Sequence, residues 1–270
     1  FGEPYFLPNG SAYCETCASI GNVFWNFRMF LLHGDSKYMD VVERSLYNAL
    51  LSGVSLGGDR FFYPNPLESH GQHERSAWFG CACCPANVCR FIPSIPGYIY
   101  AHDQSTIYLN LYLQNTAEID FNGSNVHLDQ TTDYPWDGKV TVTVNPSAPR
   151  DFSLALRIPG WAGGEVIPGD LYHFTTHEDP PYSITLNGDP VNYILKNGYA
   201  VITNHWKNGD QVELNLPMPV KKIEANPLIY ADRDRVALQR GPIVYCLEWP
   251  DNAGGHVLDL VLDPSAELVA

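Results

Sequence analysis

The sequence predicts a mixed fold in which helices come first and an antiparallel β-sandwich follows. Apolar residues recur at helical spacing near the start of the chain. After Pro96 the pattern changes to an alternation of polar and apolar residues, with a turn signal about every ten residues. The 270 residues include 22 glycines and 21 prolines, a composition typical of turn-rich β proteins.

The first part of the chain is expected to form two long helices and one short one. Five apolar residues within residues 17–33 share one face of a helix: Ile20, Val23, Phe24, Phe27 and Leu31. Gly34 should end this helix, and Ser36 is expected to cap the next. Pro85 favours the first turn of a short third helix that ends by Pro93 or Pro96.

Alternating runs predict strands over much of the remaining chain, including KVTVTVNP, FSLALRIPGW, YSITLNGDPV and RVALQRGPIVYCLE. We therefore expect helices in residues 1–95, one β-sandwich in residues 96–225, and either a second sandwich or closing strands in residues 226–270. A helical region of this size is small for an independent domain. It is expected to be the last part of a larger α-domain.

The charge and hydropathy of the chain exclude two classes of partner. The net charge is −14, which repels phosphate backbones, so we expect no nucleic-acid partner. No apolar run approaches the roughly 20 residues that a membrane span needs. The sequence favours neither a cytoplasmic nor a periplasmic or secreted location.

Six of the seven cysteines lie in two short segments, around residues 14–17 and 81–89. This clustering does not suit a disulfide framework spread over the chain, and it favours thiols or a metal site. Glu15 and Cys17 precede the first helix, while Cys83 and Cys84 are adjacent at the predicted start of the third. One carboxylate oxygen and three sulfurs form a tetrahedral set that suits zinc.

The spacing leaves a second metal arrangement open, formed by the two C-x-x-C pairs Cys14, Cys17, Cys81 and Cys84. Cys89 and Cys246 are interpreted instead as small buried hydrophobic residues. A metal-held thiolate that remains able to attack carbon would need a second group to protonate the leaving oxygen. In retaining glycosidases that second group is a carboxylic acid.

Three segments, FGEPYFLPNGSAYCETCASIG, HERSAWFGCACCPANVCRFI and RVALQRGPIVYCLE, resemble the β-L-arabinofuranosidases of glycoside hydrolase family 127 and relatives. The resemblance runs through essentially the whole chain and is strongest over residues 1–95. It implies the C-terminal part of an (α/α)6 barrel followed by antiparallel β-sandwich domains. It also implies cleavage of L-arabinofuranose-containing glycans or oligosaccharides with retention of configuration.

The resemblance assigns roles to four residues. Glu15, Cys17, Cys83 and Cys84 correspond to the zinc ligands of the family, and Cys83 corresponds to the nucleophile. The family's acid/base glutamate corresponds to a position before Phe1, so this chain has no acid/base residue of its own and is expected to be inactive in isolation. Its expected partners are therefore the substrate and either the preceding part of the barrel or a second copy of the chain.

Two further residues, His73 and Trp78, are candidate substrate contacts because they lie shortly before the adjacent cysteines. Aromatic faces such as that of Trp78 pack on the apolar faces of sugars. The competing hypothesis for the whole chain is a non-catalytic β-sandwich module with a structural zinc site, used for carbohydrate binding or assembly.

Overall fold

The computed structural model describes residues 2–176, 180–252, 254, 256–263 and 265–269. Its α-helices are α1 (Thr16–His33), α2 (Ser36–Ser45), α3 (Cys83–Phe91) and α4 (Pro96–Ile99). A π-helical turn, Leu46–Leu50, continues α2. None of the helices in the described residues has the length and apolar character needed to cross a membrane.

The predicted boundaries of α1 are confirmed, whereas the predicted cap of α2 is wrong. Gly34 follows α1 with φ 63°, and its N–H donates to the carbonyl of Phe30, as a left-handed C-terminal glycine does. The cap of α2 is Asp35, whose carboxylate accepts a hydrogen bond from the Lys37 N–H. Ser36 is already the first helical residue, because Asp35 has the extended backbone that a cap requires.

From Tyr100 onward the described chain is built from strands. They are β1 (Tyr100–His102), β2 (Thr106–Leu109), β3 (Asn115–Asp120), β4 (Asn125–Thr132), β5 (Lys139–Pro146), β6 (Arg150–Arg157), β7 (Tyr172–Phe174), β8 (Ser183–Leu186), β9 (Asp189–Pro190), β10 (Ile194–Lys196), β11 (Tyr199–Trp206), β12 (Asp210–Asn215), β13 (Val220–Ala225), β14 (Ala237–Arg240) and β15 (Ile243–Tyr245). Helices followed by largely antiparallel sheets are the order that the sequence predicts.

These strands form three sheets. The first has the order β1-β2-β6-β11-β10, the second β3-β4-β5-β12-β8-β9, and the third β15-β14-β13-β7. The pairing of β2 with β6 is parallel, a feature that alternation alone does not reveal. Along β5, Val140, Val142 and Val144 are fully buried while the residues between them are not, so one face of the second sheet lies in the core.

The first sheet is the middle layer between the helices and the second sheet. One of its faces packs with the second sheet in a core that includes Leu154, Ile202 and Trp206. Its opposite face contributes Ala155 and Tyr199 to the helical core. Each face of this sheet therefore lies against a different layer, which joins the helices to the sandwich.

A buried charged network also crosses the boundary between α2 and β6. The guanidinium of Arg157 is fully buried and forms ion pairs with Asp40 and Glu43. Its Nε donates to the carbonyl of Asn110 at 2.6 Å, and the Tyr134 hydroxyl donates to Glu43 at 2.6 Å. Both carboxylates of α2 are thus tied to strand β6 of the sandwich.

The turn between β10 and β11 lies directly against α2 and gives a testable stability difference. Gly198 has φ 76°, and a Cβ there would overlap the Ser36 hydroxyl oxygen and lie 2.8 Å from the Ser36 Cβ. Gly188 occupies the same position in another Asn-Gly turn, with φ 89° and no atom within 4 Å of its Cβ site. Both substitutions to alanine strain the backbone, but only the first also causes a clash.

We expect Gly188→Ala to lower the free energy of unfolding by about 1–2 kcal/mol through backbone strain. Gly198→Ala should lower it by a further 1–3 kcal/mol or so through overpacking. Urea unfolding of the two variants measures the difference. Adding Ser36→Gly to Gly198→Ala removes the clashing side chain and should recover the stability lost to the clash. Equal losses for the two alanine variants would contradict the close contact between Gly198 and Ser36.

Candidate metal centre

Two segments that are distant in sequence bring four metal-binding side chains together. A ligand oxygen of Glu15 and the sulfurs of Cys17, Cys83 and Cys84 all lie within 4.8 Å of one another. We call these four residues the cysteine–glutamate cluster. Across the part of the chain that the structure describes, it is the one group of three or more His, Cys, Asp or Glu residues with such a geometry.

The distances within the cluster match a tetrahedral zinc site. The sulfurs of Cys83 and Cys84 are 3.8 Å apart, and the Glu15 Oε1 lies 3.6 Å and 3.7 Å from them. With Zn–S bonds of about 2.3 Å and a Zn–O bond of about 2.0 Å, tetrahedral geometry separates two sulfurs by about 3.8 Å and a sulfur from an oxygen by about 3.5 Å. The donor set and its spacing therefore suit zinc.

The start of α1 positions Glu15 and Cys17. Glu15 is the residue before the helix, and its side chain makes no capping hydrogen bond, which leaves its carboxylate directed at the cluster. Thr16 is buried, its Oγ1 donates to the carbonyl of Phe62 at 2.9 Å, and its N–H donates to the carbonyl of Tyr63 at 3.1 Å. The hydrogen bonds from Thr16 to Phe62 and Tyr63 thus hold the start of α1, which carries Glu15 and Cys17, in place.

The start of α3 positions the other two ligands. Cys83 is the first residue of α3, so the adjacent cysteines lie on its first turn and converge, as the sequence predicts for this position. The buried face of α3 consists of Cys84, Pro85, Val88 and Phe91. The Phe91 ring packs edge-on against Phe24 of α1, with centroids 5.7 Å apart. Packing between α1 and α3 therefore closes the cluster.

The three sulfurs differ in how readily they ionise. The Tyr63 hydroxyl lies 3.3 Å from the Cys83 sulfur, and its hydrogen bond is the largest cause that lowers the pKa of Cys83. Burial raises the pKa of Cys84 and of Cys17. Cys83 is the most readily ionised of the three, and a bound cation would favour the thiolate form of each.

Tyr63 and Thr16 support the cluster although no sequence pattern marks them. Tyr63 lies in the segment GGDRFFYPNP, for which composition predicts only a loop or a short hairpin. Isolated bridges between Val54 and Phe61 and between Glu15 and Pro64 shape this segment. The contact between Tyr63 and Cys83 depends on folding across 20 residues of chain, so local periodicity cannot reveal it.

The remaining cysteines lie outside the cluster. Cys14 and Cys81 are exposed, so the arrangement of two C-x-x-C pairs is not the one that the fold assembles. The prediction that Cys89 and Cys246 are buried is wrong, because both are exposed. Cys89 follows Val88 on α3 and points away from its buried face, and Cys246 comes directly after β15, at the edge of the third sheet.

His73 and Trp78 occupy different surroundings. The Nε2 of His73 lies 2.8 Å from the carbonyl of Pro64, and its ring stacks on Phe62 with centroids 4.8 Å apart. The Trp78 side chain is 68 % exposed. The hydrogen-bonded imidazole of His73 and the exposed indole of Trp78 are both compatible with sugar binding. Substrate contact stays a prediction for both residues.

The C-terminal part of the chain braces the loop that carries His73. Arg75 donates to both carboxylate oxygens of Glu248, at 2.8 Å and 2.6 Å, and its guanidinium lies over the Phe62 ring at 4.5 Å. The Trp249 indole N–H donates to the carbonyl of Ser69 at 3.0 Å. The loop that carries His73 is therefore supported by residues 173 to 180 positions later in the sequence.

Family models for successive parts of one glycoside hydrolase family match almost the whole chain. Residues 1–97 match the model described as β-L-arabinofuranosidase, GH127 catalytic domain. Residues 106–218 match the GH127 middle domain, and residues 220–269 match the C-terminal domain of glycoside hydrolase family 127.

A curated relative carries a related description. The chain is 36 % identical to a non-reducing end β-L-arabinofuranosidase of Bifidobacterium longum subsp. longum, in a match that covers 94 % of this chain and 38 % of the relative. The chain thus spans well under half the length of that curated relative.

Solved structures agree with this comparison. A GH127 β-arabinofuranosidase, BT3674, is 54 % identical with a TM-score of 0.90, over 93 % of this chain and 40 % of that one. A GH127 β-L-arabinofuranosidase from Geobacillus stearothermophilus T6 is 44 % identical with a TM-score of 0.81, over 92 % of this chain and 38 % of that one.

Proposed function

This chain belongs to the GH127 β-L-arabinofuranosidase family, and from that premise we propose that it is the part of a retaining β-L-arabinofuranosidase that carries the metal site and the nucleophile. The observation that supports this proposal is the cysteine–glutamate cluster, in which Cys83 is the thiol with the lowered pKa. The substrates are proposed to be glycans or oligosaccharides that contain L-arabinofuranose.

The metal is proposed to be zinc, held by the one oxygen of Glu15 and the sulfurs of Cys17, Cys83 and Cys84. When bound, zinc would supply positive charge that keeps the thiols deprotonated at neutral pH. The match between the cluster distances and tetrahedral geometry supports this assignment.

Cys83 is proposed to act as the nucleophile. Its sulfur attacks the anomeric carbon while the bond to the leaving oxygen breaks, and a carboxylic acid protonates that oxygen. Water then displaces the sulfur, and two inversions retain the configuration. Glu15, the one carboxylate of the cluster, is assigned to the metal. We therefore propose that the acid/base residue lies in the part of the relatives that this chain does not span. This chain alone is proposed to hydrolyse substrate at a negligible rate.

Trp78 and His73 are proposed to contact the sugar. The exposed indole of Trp78 offers a flat apolar surface. The Nε2 of His73 is occupied by the carbonyl of Pro64, which leaves Nδ1 able to accept a hydrogen bond from a sugar hydroxyl.

The test of the nucleophile compares two thiols in the same segment within the full-length enzyme. We expect Cys83→Ala to lower kcat/KM for an aryl β-L-arabinofuranoside by at least about 10⁴-fold, while Cys89→Ala, which removes an exposed thiol outside the cluster, stays near the wild type. Mass spectrometry of the denatured wild-type enzyme should find one pentosyl group on the peptide that carries Cys83.

Iodoacetamide labelling of the zinc-loaded chain separates the enzyme from the non-catalytic alternative. A nucleophilic thiolate predicts selective alkylation of Cys83 among the three cluster sulfurs. Equal protection of all three sulfurs, together with full activity of Cys83→Ala in the complete enzyme, would instead identify a structural zinc site.

A further inference from the structure

We propose that Tyr63 is an additional catalytic residue of this site, whose hydroxyl donates a hydrogen bond to the Cys83 sulfur and promotes release of the sugar from that sulfur. This inference rests on the proposed function, because it assigns a role to Tyr63 only if Cys83 is the nucleophile. The two atoms are 3.3 Å apart, within the range of a hydrogen bond to sulfur.

Tyr63 is held in place by both its backbone and its ring. Its carbonyl accepts from the Thr16 N–H at 3.1 Å, which ties it to the helix start that carries Glu15 and Cys17. Its ring packs edge-on against Phe79, with centroids 5.5 Å apart, and against Tyr13 at 6.4 Å. These contacts at the backbone and at the ring direct the hydroxyl at the sulfur.

The direction of the hydrogen bond follows from the chemistry of a thiolate. A thiolate has no proton, so it can only accept, and the phenol O–H must be the donor. The other sulfurs of the cluster lose their protons when they ligate a metal, and the Glu15 oxygen, 3.6 Å from Cys83, is an acceptor. Two groups that are not metal ligands keep a proton to donate to Cys83, the Tyr63 hydroxyl and the exposed Cys81 thiol, and the hydrogen bond from Tyr63 lowers the pKa of Cys83 the more. Tyr63 is therefore the principal donor to Cys83 in the metal-bound site.

This donor affects the two halves of the reaction in opposite directions. In the first half, a sulfur lone pair forms the bond to carbon while the carbon–oxygen bond breaks, and the sulfur becomes a neutral thioether. In the second half, a water oxygen bonds to the carbon, its proton passes to the acid/base carboxylate, and the carbon–sulfur pair of electrons returns to the sulfur. Hydrogen bonds to charged acceptors are stronger than those to neutral ones.

Tyr63 therefore stabilises the free thiolate more than the thioether intermediate. It makes the sulfur a weaker nucleophile in the first half and a better leaving group in the second. Without this donor the sulfur–carbon intermediate would hydrolyse more slowly, because the departing thiolate would regain its charge with one stabilising hydrogen bond fewer.

The experiment compares Tyr63→Phe with Tyr13→Phe, which removes a neighbouring hydroxyl from the same aromatic group. In the zinc-loaded chain, Tyr63→Phe should speed alkylation of Cys83 by iodoacetamide about three- to tenfold, as expected for loss of a hydrogen bond to a charged sulfur. Zinc content should not change, and Tyr13→Phe should match the wild type. In cobalt-loaded samples, the sulfur-to-metal charge-transfer band should shift only in Tyr63→Phe.

In the full-length enzyme, the same substitution should slow turnover of a substrate with a good leaving group. The pentosyl-enzyme should then accumulate in Tyr63→Phe, as measured by intact mass, although its isolated thiolate is more reactive. A faster alkylation combined with slower turnover is an outcome that a purely structural role for Tyr63 does not produce.

A second measurement covers the case in which Tyr63→Phe folds poorly. Monofluorotyrosine at position 63 preserves the ring and strengthens the donor, so alkylation of Cys83 should become slower than in the wild type. Rates that do not change in either variant, with zinc bound, would overturn the role of Tyr63 and leave the proposed function intact. Absence of bound zinc and of selective Cys83 labelling in the wild type would overturn both.

Discussion

Replacing Arg157 with methionine should lower the free energy of unfolding by about 3–5 kcal/mol, because the change leaves two buried carboxylates without their cation. The Arg157 side chain is fully buried, and its partners Asp40 and Glu43 are 14 % and 3 % exposed. Burial already raises the pKa of Asp40 to about 6 with the guanidinium in place. Without it, both carboxylates would have to bind protons or recruit water.

Denaturant unfolding at neutral pH measures this loss, with Arg28→Met as the matched control. Arg28 is an exposed residue of α1, and its substitution should change stability by less than about 0.5 kcal/mol. Adding Asp40→Asn and Glu43→Gln to Arg157→Met should recover part of the loss, because neutral side chains need no counter-charge. A loss below about 1 kcal/mol for Arg157→Met would mean that water reaches the network.

Saturating zinc should raise the free energy of unfolding by about 4 kcal/mol when free zinc exceeds the dissociation constant a thousandfold. The gain arises because only the folded chain brings Glu15 and Cys17 to within 4.8 Å of Cys83 and Cys84. Burial raises the pKa of Cys84 and of Cys17, so protons compete with the metal and the gain should shrink as the pH is lowered.

Thermal unfolding with and without a chelator measures the contribution of zinc, and elemental analysis measures its stoichiometry. Cys84→Ser should lose both the bound zinc and the chelator-sensitive stability. Cys89→Ser is the control, because Cys89 is exposed and outside the cluster. Zinc that persists in Cys84→Ser at full stoichiometry would show that a different set of ligands holds it.

Local periodicity was sufficient for the elements that bury one face. The alternation of β5 is a strong pattern, and the structure follows it. The predicted apolar face of α1 is confirmed at Ile20 and Val23 but wrong at Leu31, which is 60 % exposed while Phe30 is buried in the helical core.

The strands β3 and β4 escaped prediction because few of their inward-facing residues are large and apolar: Gln130 and Thr132 occupy buried positions of β4, and Ile119 is the one buried residue of β3. The parallel pairing of β2 with β6 is a relation between distant segments, and turn signals carry no information about it.

The candidate site could be predicted only in part. Residue types and spacing indicated a metal site but left two ligand sets open, and the resemblance to a family selected one of them. The fold brings that selected set together. Tyr63 could not be predicted, because its contact with Cys83 arises from the path of a loop between α2 and α3.

The middle sheet has a consequence for how such proteins can diversify. Leu154 faces the second sheet and the neighbouring Ala155 faces the helices. Substitutions at alternate positions of β6 therefore affect packing against two different layers. A recombination event that exchanged the sandwich for an unrelated module would leave the helices without a complementary surface. We therefore expect the helical part and the middle part of this family to be inherited together, with drift in one matched by compensating change in the other.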